Sequence, residues 1–157
     1  MKKGCSRMDT CLFCRIVSGE LPATTVYEDD NSVAFLDHRP LFPGHTLLVP
    51  REHVETLGEL PTKIVGPYFE AAQLLSRAVE LAMEAEGTFV AMNNRVSQSV
   101  PHLHVHVVPR RKKDGLKGFF WPRTKYKSDE EMEEVKKKIA DALKKLNLKN
   151  KTLKNLI

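Results

Sequence analysis

Alternating histidines mark the segment from Pro101 to Pro109 and limit the folds that this chain can adopt. In an extended strand successive side chains point to opposite faces, so His102, His104 and His106 share one face, about 6.7 Å apart in succession. The apolar residues between them share the other face. One hydrogen-bonded imidazole on a half-buried strand is common, whereas desolvating three in register is costly. The pattern therefore predicts a strand with one face in the core and a histidine face that carries out chemistry.

The rest of the chain predicts one α+β domain followed by a C-terminal appendage. Its 157 residues are 41% hydrophobic and 29% charged, which suits a single globular domain. Apolar residues at helical spacing predict a central helix from Thr62 to Glu86, with Gly87 as its stop. Ser128 and Glu131 form a capping box for an amphipathic C-terminal helix. Runs of β-forming residues predict about five strands, mainly antiparallel, at residues 24–28, 31–37, 45–50, 88–93 and 103–109.

The basic residues lie mainly in the last third of the chain. Residues 1–109 carry 9 Lys and Arg against 13 Asp and Glu, whereas residues 110–157 carry 16 against 7. We therefore expect an N-terminal tail (1–10), a domain (11–111) and a basic C-terminal extension (112–157). Such an extension can steer nucleic acid or polyanionic substrates, although a solvated helix face is the commoner source of a charge run. No apolar stretch approaches the roughly 18 residues of a membrane span and no secretory signal is visible, so we expect a cytoplasmic protein.

A polar loop enters the histidine strand. Three imidazoles in a row can ligate a metal, transfer protons or attack as nucleophiles, because histidine titrates near neutral pH. The amide and hydroxyl side chains of the loop are donors of the kind that bind phosphate oxygens. Together the two features predict a site for a phosphate ester. The polar residues of the loop are Asn93, Asn94, Ser97, Gln98 and Ser99.

The segment HLHVHVV resembles the His-φ-His-φ-His-φ-φ signature of the histidine triad (HIT) family, in which φ is apolar. The likeness extends to CLFCRIVSGELPATTVYEDDNSVAFLDHRPLFPGHTLLVPREH and SQSVPHLHVHVVPR, and it covers about residues 11–111. It implies a homodimeric α+β fold that binds a purine nucleotide and hydrolyses or transfers at its α-phosphate. The expected hydrolase substrates are nucleoside phosphoramidates or dinucleoside polyphosphates, with release of a nucleoside monophosphate such as AMP.

Two other functions stay open at this point. A nucleotidyltransferase or phosphorylase of the same family would use an acceptor other than water. A nucleotide-sensing or nucleic-acid-associated binding module would depend on the basic extension and retain only vestigial hydrolysis. The complete histidine triad argues against the binding module.

The resemblance assigns catalytic roles around the phosphate. His104 would attack the α-phosphorus and form a nucleotidyl-imidazole intermediate that water resolves. Its other ring nitrogen must then donate a proton to a fixed acceptor, for which a backbone carbonyl is suited. His106 and His45 would flank the phosphate. Ser99 would hold phosphoryl oxygens and assist the leaving group.

The resemblance also assigns nucleotide-binding residues. Gln98 and an asparagine would hold the phosphoryl oxygens together with Ser99. The loop is shorter than usual for the family and lacks its glycines, so either Asn93 or Asn94 can be that asparagine. Asp37 would accept hydrogen bonds from the ribose hydroxyls. The apolar wall of the purine pocket would consist of Phe13, Ile16 and Phe35, each of which also suits ordinary core.

A pair of cysteines, Cys11 and Cys14, is compatible with a redox pair, half of a metal site or coincidence. Three cysteines in the whole chain argue against a disulfide framework. The resemblance to the zinc-containing bacterial members of the family adds His53 and His102 as further ligands. Two thiolates and two imidazoles would form a closed, structural zinc site. The alternative is that both cysteines are small buried apolar residues.

An aromatic and basic patch, Phe119-Phe120-Trp121-Pro122-Arg123, follows the domain. The resemblance suggests that Trp121 lines the leaving-group side of a site, and packing of the final helix is an equally good explanation. Lys112, Lys113, Lys117 and Arg123 would favour leaving groups that carry extra phosphates.

Overall fold

The computed structural model describes residues 10–116 and 125–154, which belong to two compact units, one ending at Leu116 and the other beginning at Lys117. The second unit contains helix α3, Asp129–Lys154. The elements described in the first unit are α1 Leu12–Val17, β1 Thr25–Glu28, β2 Ser32–Leu36, β3 Thr46–Pro50, α2 Thr62–Ala82, β4 Gly87–Ala91 and β5 Val105–Arg110. The predicted α+β class, with five antiparallel strands, a central helix and a C-terminal helix, is confirmed. The predicted limits of tail, domain and extension stay predictions.

The strands form one antiparallel sheet in the order β1-β2-β3-β5-β4. In the turn between β1 and β2, the Asp29 carboxylate accepts hydrogen bonds from the N–H groups of Asn31 and Ser32 at 2.8 and 2.7 Å. β5 lies between β3 and β4, with Leu47 of β3 opposite His106. The histidine strand is therefore an interior strand, next to the one that follows His45.

Helix α2 packs its apolar side onto one face of this sheet. The fully buried Tyr68 donates its hydroxyl to the backbone carbonyl of Leu48 at 2.8 Å, which ties the helix to β3. Pro67 lies in the second turn of the helix, close to its start. The residues that α2 buries are Ile64, Tyr68, Ala71, Ala72, Leu75 and Val79. They contact Ala34, Leu48, Leu103, Val105 and Val107 of the sheet and of the residues that enter it.

The end of α2 differs from the prediction. The helix ends at Ala82 rather than Glu86, and Gly87 is the first residue of β4 rather than a stop. The left-handed residue that terminates the helix is Glu84, with φ of +49°. The Arg111 guanidinium donates to the carbonyls of Met83 and Glu84 and so satisfies backbone acceptors at this end.

Helix α1 covers the opposite face of the sheet, and no sequence pattern predicts it. Its six residues are too few to display helical periodicity. Gly19, with φ of +78°, follows the helix and donates its N–H to the carbonyl of Ile16 at 3.0 Å. The helix and the residue before it build a second, smaller core on this face, consisting of Cys11, Phe13, Val33, Phe35, Leu47 and Val49.

Helix α3 begins with the predicted cap. Ser128 accepts a hydrogen bond from the N–H of Glu131 at 3.3 Å, and the Glu131 carboxylate accepts one from the N–H of Lys127 at 2.5 Å. Three acidic residues in the first turn interact favourably with the positive end of the helix dipole. Among the described residues, no helix combines the length and apolar character that crossing a bilayer requires.

Candidate functional site

The histidines lie on the α1 side of the sheet, as the alternation predicts. β5 begins at Val105, two residues later than predicted, so His102 and His104 precede the strand and His106 lies within it. The Phe13 ring of α1 contacts His102 and His104, with centroid distances of 5.9 and 5.2 Å. The fully buried apolar residues on the other side are Leu103, Val105 and Val107.

His104 has one ring nitrogen committed to the backbone. Its Nδ1 lies 2.7 Å from the carbonyl oxygen of His102, and a carbonyl can only accept, so Nδ1 donates the proton. In the neutral ring Nε2 then holds an unshared electron pair. His104 lines a cleft on this side of the sheet while only 3% of it is exposed. The arrangement provides a buried ring of fixed orientation whose Nε2 can act as a nucleophile.

His106 and His45 share a hydrogen bond beside His104. Nε2 of His45 lies 2.9 Å from Nδ1 of His106, and the rings of His104 and His106 are 4.9 Å apart. Burial lowers the pKa of His106 to about 4, with His104 and His45 acting in the same direction and Asp37 opposing. Burial also lowers the pKa of His45, again against Asp37. Both rings are therefore neutral near pH 7.

A cleft of about 680 Å³ opens in front of His104 and His106. Asp37 lies at its rim and places one carboxylate oxygen 3.6 Å from Nδ1 of His45, while the other accepts the N–H of Arg39 at 2.8 Å. The wall of the cleft is mainly apolar, and its other polar residues are Ser99, Thr24 and His38. Its predicted members are Phe13, Ile16, Phe35, Asp37, Ser99, His104 and His106.

The structure places His45 behind His106 rather than at the cleft surface. It is 3% exposed and does not line the cleft. Its Nδ1 accepts the backbone N–H of Leu41 at 3.2 Å. Asp37, His45 and His106 offer atoms within 4.8 Å of one another, as in a metal site. However, both nitrogens of His45 and the facing nitrogen of His106 already take part in hydrogen bonds, so we describe this group as a hydrogen-bonded chain.

The loop before the histidines makes its hydrogen bonds away from the cleft. Asn93 donates to the carbonyl of Ser97 at 3.1 Å, and Asn94 accepts the N–H of Leu57 at 2.7 Å. Gln98 donates to the carbonyl of Glu55 at 2.7 Å and accepts the N–H of Arg95. Neither asparagine lines the cleft, and neither does Gln98. Their predicted roles in phosphate binding stay predictions.

The same loop adopts a backbone conformation that favours glycine. Arg95 and Ser97 have φ of +69° and +59°. Two non-glycine residues therefore occupy left-handed positions in this loop. The side chain of Arg95 instead forms an exposed ion pair with Glu59 at 3.2 Å.

The four predicted metal ligands converge at the start of α1. Nδ1 of His53 lies 3.2 Å from Sγ of Cys14, and Nδ1 of His102 lies 3.5 Å from Sγ of both cysteines. All four ligand atoms fall within 4.8 Å of one another. Two thiols and two imidazoles at these separations match the donor set of a tetrahedral structural zinc site.

The orientation of His102 also suits a ligand. Its Nε2 donates to the carbonyl of Pro50 at 2.9 Å, which leaves the Nδ1 electron pair facing the thiols. Burial lowers the pKa of His102 to about 4, so its ring is neutral, as metal binding requires. The residue thus faces the cysteines with its ring and His104 with its carbonyl.

Several site residues carry no signal in the sequence. The backbone carbonyl of Pro50 and the N–H of Leu41 act through the main chain, which every residue type offers. Trp121 and the patch around it lie outside the described residues. The remaining members of the cleft wall follow α1 or flank predicted residues, and they include Leu12, Leu21, Pro22, Ala23, Thr24, Leu36, His38, Leu47 and Val100.

This chain is similar in sequence to a family of known proteins. The family model described as the HIT domain matches residues 18–113. The protein hit of Bacillus subtilis is 36% identical over 115 residues, which are 72% of this chain and 79% of that protein. Adenylylsulfatase HINT3 of Arabidopsis thaliana is 36% identical over 108 residues, 68% of this chain and 55% of that protein. Adenosine 5'-monophosphoramidase HNT1 of Candida albicans is 30% identical over 119 residues, 72% of this chain and 78% of that protein.

Solved structures are similar over most of the chain. The crystal structure of a HIT family member from Bacillus subtilis has a TM-score of 0.77 and 36% identity, covering 84% of this chain and 96% of that one. A zinc-bound histidine triad family protein from Mycobacterium smegmatis has a TM-score of 0.66 and 38% identity, covering 79% and 88%.

Proposed function

This chain belongs to the HIT family, the premise from which we propose that it is a nucleotide hydrolase acting at the α-phosphate of purine nucleoside phosphoramidates or dinucleoside polyphosphates. One observation carries the proposal. Nδ1 of His104 donates to the carbonyl of His102, so the unprotonated Nε2 belongs to a ring that lines an apolar cleft with Asp37 at its rim. A nucleoside monophosphate matches this arrangement, because its phosphate and ribose are polar and its base can lie against an apolar wall.

The reaction we propose has two displacements on phosphorus. Nε2 of His104 attacks, a P–N bond forms, and the bond to the leaving group breaks with its electron pair, the leaving group taking a proton from its surroundings. The positive charge that develops on the ring strengthens the hydrogen bond from Nδ1 to the carbonyl of His102. Water then attacks phosphorus, the P–N pair returns to the ring, the water proton leaves to solvent, and the monophosphate is released.

Other residues around the cleft would divide binding and charge stabilisation. His106 would contact a phosphoryl oxygen, and Ser99 would donate to the phosphate or leaving group, a kind of contact worth roughly 3 kcal/mol in the transition state. Asp37 would take the ribose hydroxyls. The purine would lie against the apolar residues Phe13, Ile16 and Phe35.

Two relatives support adenylyl compounds with small leaving groups. Adenylylsulfatase and adenosine 5'-monophosphoramidase are the names of the Arabidopsis and Candida proteins, and both names describe cleavage next to an adenosine phosphate. Transfer to phosphate or another acceptor is the same first step with water replaced in the second. Support for a homodimer comes from the family resemblance, and size-exclusion chromatography with light scattering tests the dimer.

We further propose that zinc occupies the group formed by Cys11, Cys14, His53 and His102. The zinc-bound Mycobacterium smegmatis relative supports this assignment. Zinc would link α1 to the residue before the nucleophile and supply structural cohesion rather than Lewis-acid chemistry. Metal analysis of the purified protein, with Cys14→Ser as the control, is expected to find about one zinc per chain in the wild type and a clear loss in the variant.

The decisive experiment compares the wild type with His104→Ala. Release of AMP is measured from adenosine 5'-phosphoramidate and from a diadenosine polyphosphate, with circular dichroism as the control for folding. We expect turnover by the wild type and a loss of at least about a thousandfold in the variant. Intact-mass analysis of rapidly quenched wild type should detect a covalent adduct of one AMP unit. Equal turnover by both proteins contradicts the histidine mechanism.

A further inference from the structure

Helix α1 is shared between the cleft and the proposed metal site. Two thiols come from its beginning, Cys11 as the residue before the helix and Cys14 within its first turn. Leu12, Phe13 and Ile16 of the same helix line the cleft. Metal ligands and wall residues are therefore interleaved within positions 11–16. A displacement of the helix would alter both sites together.

The start of α1 lacks the features that usually stabilise a helix. Its six residues are fewer than the roughly 12–15 that an isolated helix needs in water. Within residues 10–116, the structure shows no side-chain cap hydrogen bond at Cys11, and the first turn contains no acidic residue. Thiolates of Cys11 and Cys14 would place negative charge at this positive end of the helix dipole. Metal binding is therefore expected to fix the start of α1.

The far end of α1 is held by the backbone alone. Ser18 donates its N–H to the carbonyl of Cys14 at 2.9 Å, and Leu21 donates its N–H to the carbonyl of Arg15 at 3.0 Å. Residues 21–24 then continue the same wall of the cleft. Loss of a metal would therefore affect mainly the beginning of the helix, where Phe13 lies.

The ring of Phe13 relates the position of α1 to the cleft. It is 5% exposed and packs edge-on against Phe35 and His104, at centroid distances of 5.5 and 5.2 Å. The other wall of the cleft includes Phe35 of β2 and His106 of β5, whose positions follow from the pairing of both strands with β3. One wall of the cleft is thus fixed by the sheet, and the other follows α1.

We propose that metal binding at the four ligands and nucleotide binding in the cleft are coupled through α1, so that each raises the affinity for the other. The inference rests on the proposed function for the nucleotide and for the zinc. A metal that fixes α1 prepares the wall against which the base lies. A bound base in turn holds α1 where its two thiols reach the metal.

The coupling should depend on the base. The groups proposed to contact the phosphate, His104, His106 and Ser99, lie outside α1. A ligand that carries a phosphate but no base therefore leaves the start of α1 without a contact. Linkage also requires the factor to be the same in both directions, from metal to nucleotide and from nucleotide to metal.

The first test measures the zinc affinity of the full-length, zinc-loaded protein by competition with a chromophoric chelator. The competition is run alone and with saturating AMP, adenosine or ribose 5-phosphate. We expect AMP and adenosine to raise the zinc affinity about tenfold, within the usual range of coupling between sites, and ribose 5-phosphate less than twofold. Ribose 5-phosphate also controls for direct binding of zinc by a phosphate.

The second test measures the reverse direction and the role of α1. The dissociation constant for AMP, measured by calorimetry, should rise about tenfold when zinc is removed. Ile16→Ala removes a contact between α1 and the cleft and should reduce this factor to about threefold or less. Val17→Ala is the matched control, because Val17 packs against the smaller core and is not among the described residues that line the cleft. It should keep the factor within about twofold of wild type.

Hydrogen exchange of the full-length protein locates the effect of the metal. We expect faster exchange in residues 12–24 after zinc removal and unchanged exchange in the strands of the sheet. Loss of protection throughout the sheet overturns the inference, because the coupling would then reflect global folding.

Three further results overturn the inference. They are absence of zinc binding, a zinc affinity that does not respond to AMP, and an equal increase with ribose 5-phosphate. None of the measurements uses turnover. A protein whose zinc affinity responds to AMP but which hydrolyses nothing would lose the proposed function and keep this inference, and hydrolysis without the response would do the reverse.

Discussion

Three glycines allow one chemical change to be compared in three environments. Replacement by alanine adds the same methyl group each time, so differences in stability report the local backbone and packing. Gly44, directly before His45, has φ of +93°, and a Cβ there would lie 2.6 Å from Cγ and 3.0 Å from Sδ of Met83. Gly19 has φ of +78° with nothing within 4 Å of a Cβ. Gly66 lies in α2, also with nothing within 4 Å.

The three costs can be estimated separately. A positive φ costs an alanine about 1–2 kcal/mol, which is the whole expected loss for Gly19→Ala. Gly44→Ala adds the displacement of Met83 at the end of α2, about 1–2 kcal/mol more for overpacking against a flexible side chain. Its total is therefore about 3 kcal/mol. Gly66→Ala removes a glycine from a helix, which is worth about 1 kcal/mol, but the new Cβ contacts the ring of Pro67, so the expected net gain is below about 1 kcal/mol.

Urea and thermal unfolding followed by circular dichroism measure these differences. For a chain of this size about 3 kcal/mol corresponds to a decrease in Tm of about 6–12 °C for Gly44→Ala. The expected order of stability is Gly66→Ala, wild type, Gly19→Ala, Gly44→Ala. Equal losses at Gly19 and Gly44 would refute the steric contact with Met83. Wild-type stability of Gly44→Ala would refute the strained turn before His45 altogether.

Three further predictions concern the proposed metal group, the histidine side of the sheet and the core on its other side. Chelation of the proposed zinc, or Cys14→Ser, should cost about 4 kcal/mol and lower Tm by about 8–16 °C. The estimate is the entropy of closing a loop as long as the 39-residue separation between Cys14 and His53. A change in Tm below about 2 °C on complete metal removal contradicts this prediction. Burial lowers the pKa of His106 from 6.5 to about 4. Between these pH values the unfolded state binds more protons than the folded state, so the free energy of unfolding decreases as the pH is lowered from about 6.5 to about 4. The slope should be smaller in His106→Asn, and equal slopes in urea titrations of the two proteins count against the prediction. Leu103→Ala should cost about 3–5 kcal/mol because the fully buried side chain packs in the core between the sheet and α2, and a loss under about 1 kcal/mol would be inconsistent with that packing.

The strands and the face of the histidine segment could be predicted because they depend on alternation along the chain. The end of α2 could not, since the left-handed position that stops it is occupied by Glu84 while the obvious glycine, Gly87, opens a strand. Helix α1 is too short to leave a periodic signal. The predicted convergence of Cys11 with His102, in contrast, depended on the family resemblance, because no local pattern relates residues so far apart.

Within the site, the types of residue that line the cleft were easier to predict than the orientations of their side chains and their hydrogen-bond partners. The cleft contains Asp37, Ser99 and the apolar wall where the resemblance suggested. The side chains of Asn93 and Gln98 could donate hydrogen bonds to a phosphate, but in this structure they donate to carbonyls of their own loop and of the neighbouring segment. The position of His45 behind His106 depends on a hydrogen bond from the backbone N–H of Leu41. Every residue type except proline has such a group, so the sequence does not reveal it.

The double use of His102 has a consequence for how this site tolerates change. Its imidazole belongs to the thiol cluster, but the atom that orients the nucleophile is its carbonyl oxygen, which every amino acid supplies. Substitution of the side chain at this position therefore removes the metal ligand without deleting the acceptor that His104 requires. The proposed metal binding and the proposed phosphorus chemistry would thus be separable by mutation at a single residue, and a variant without the metal ligand would keep the orientation of His104 as long as the fold survives.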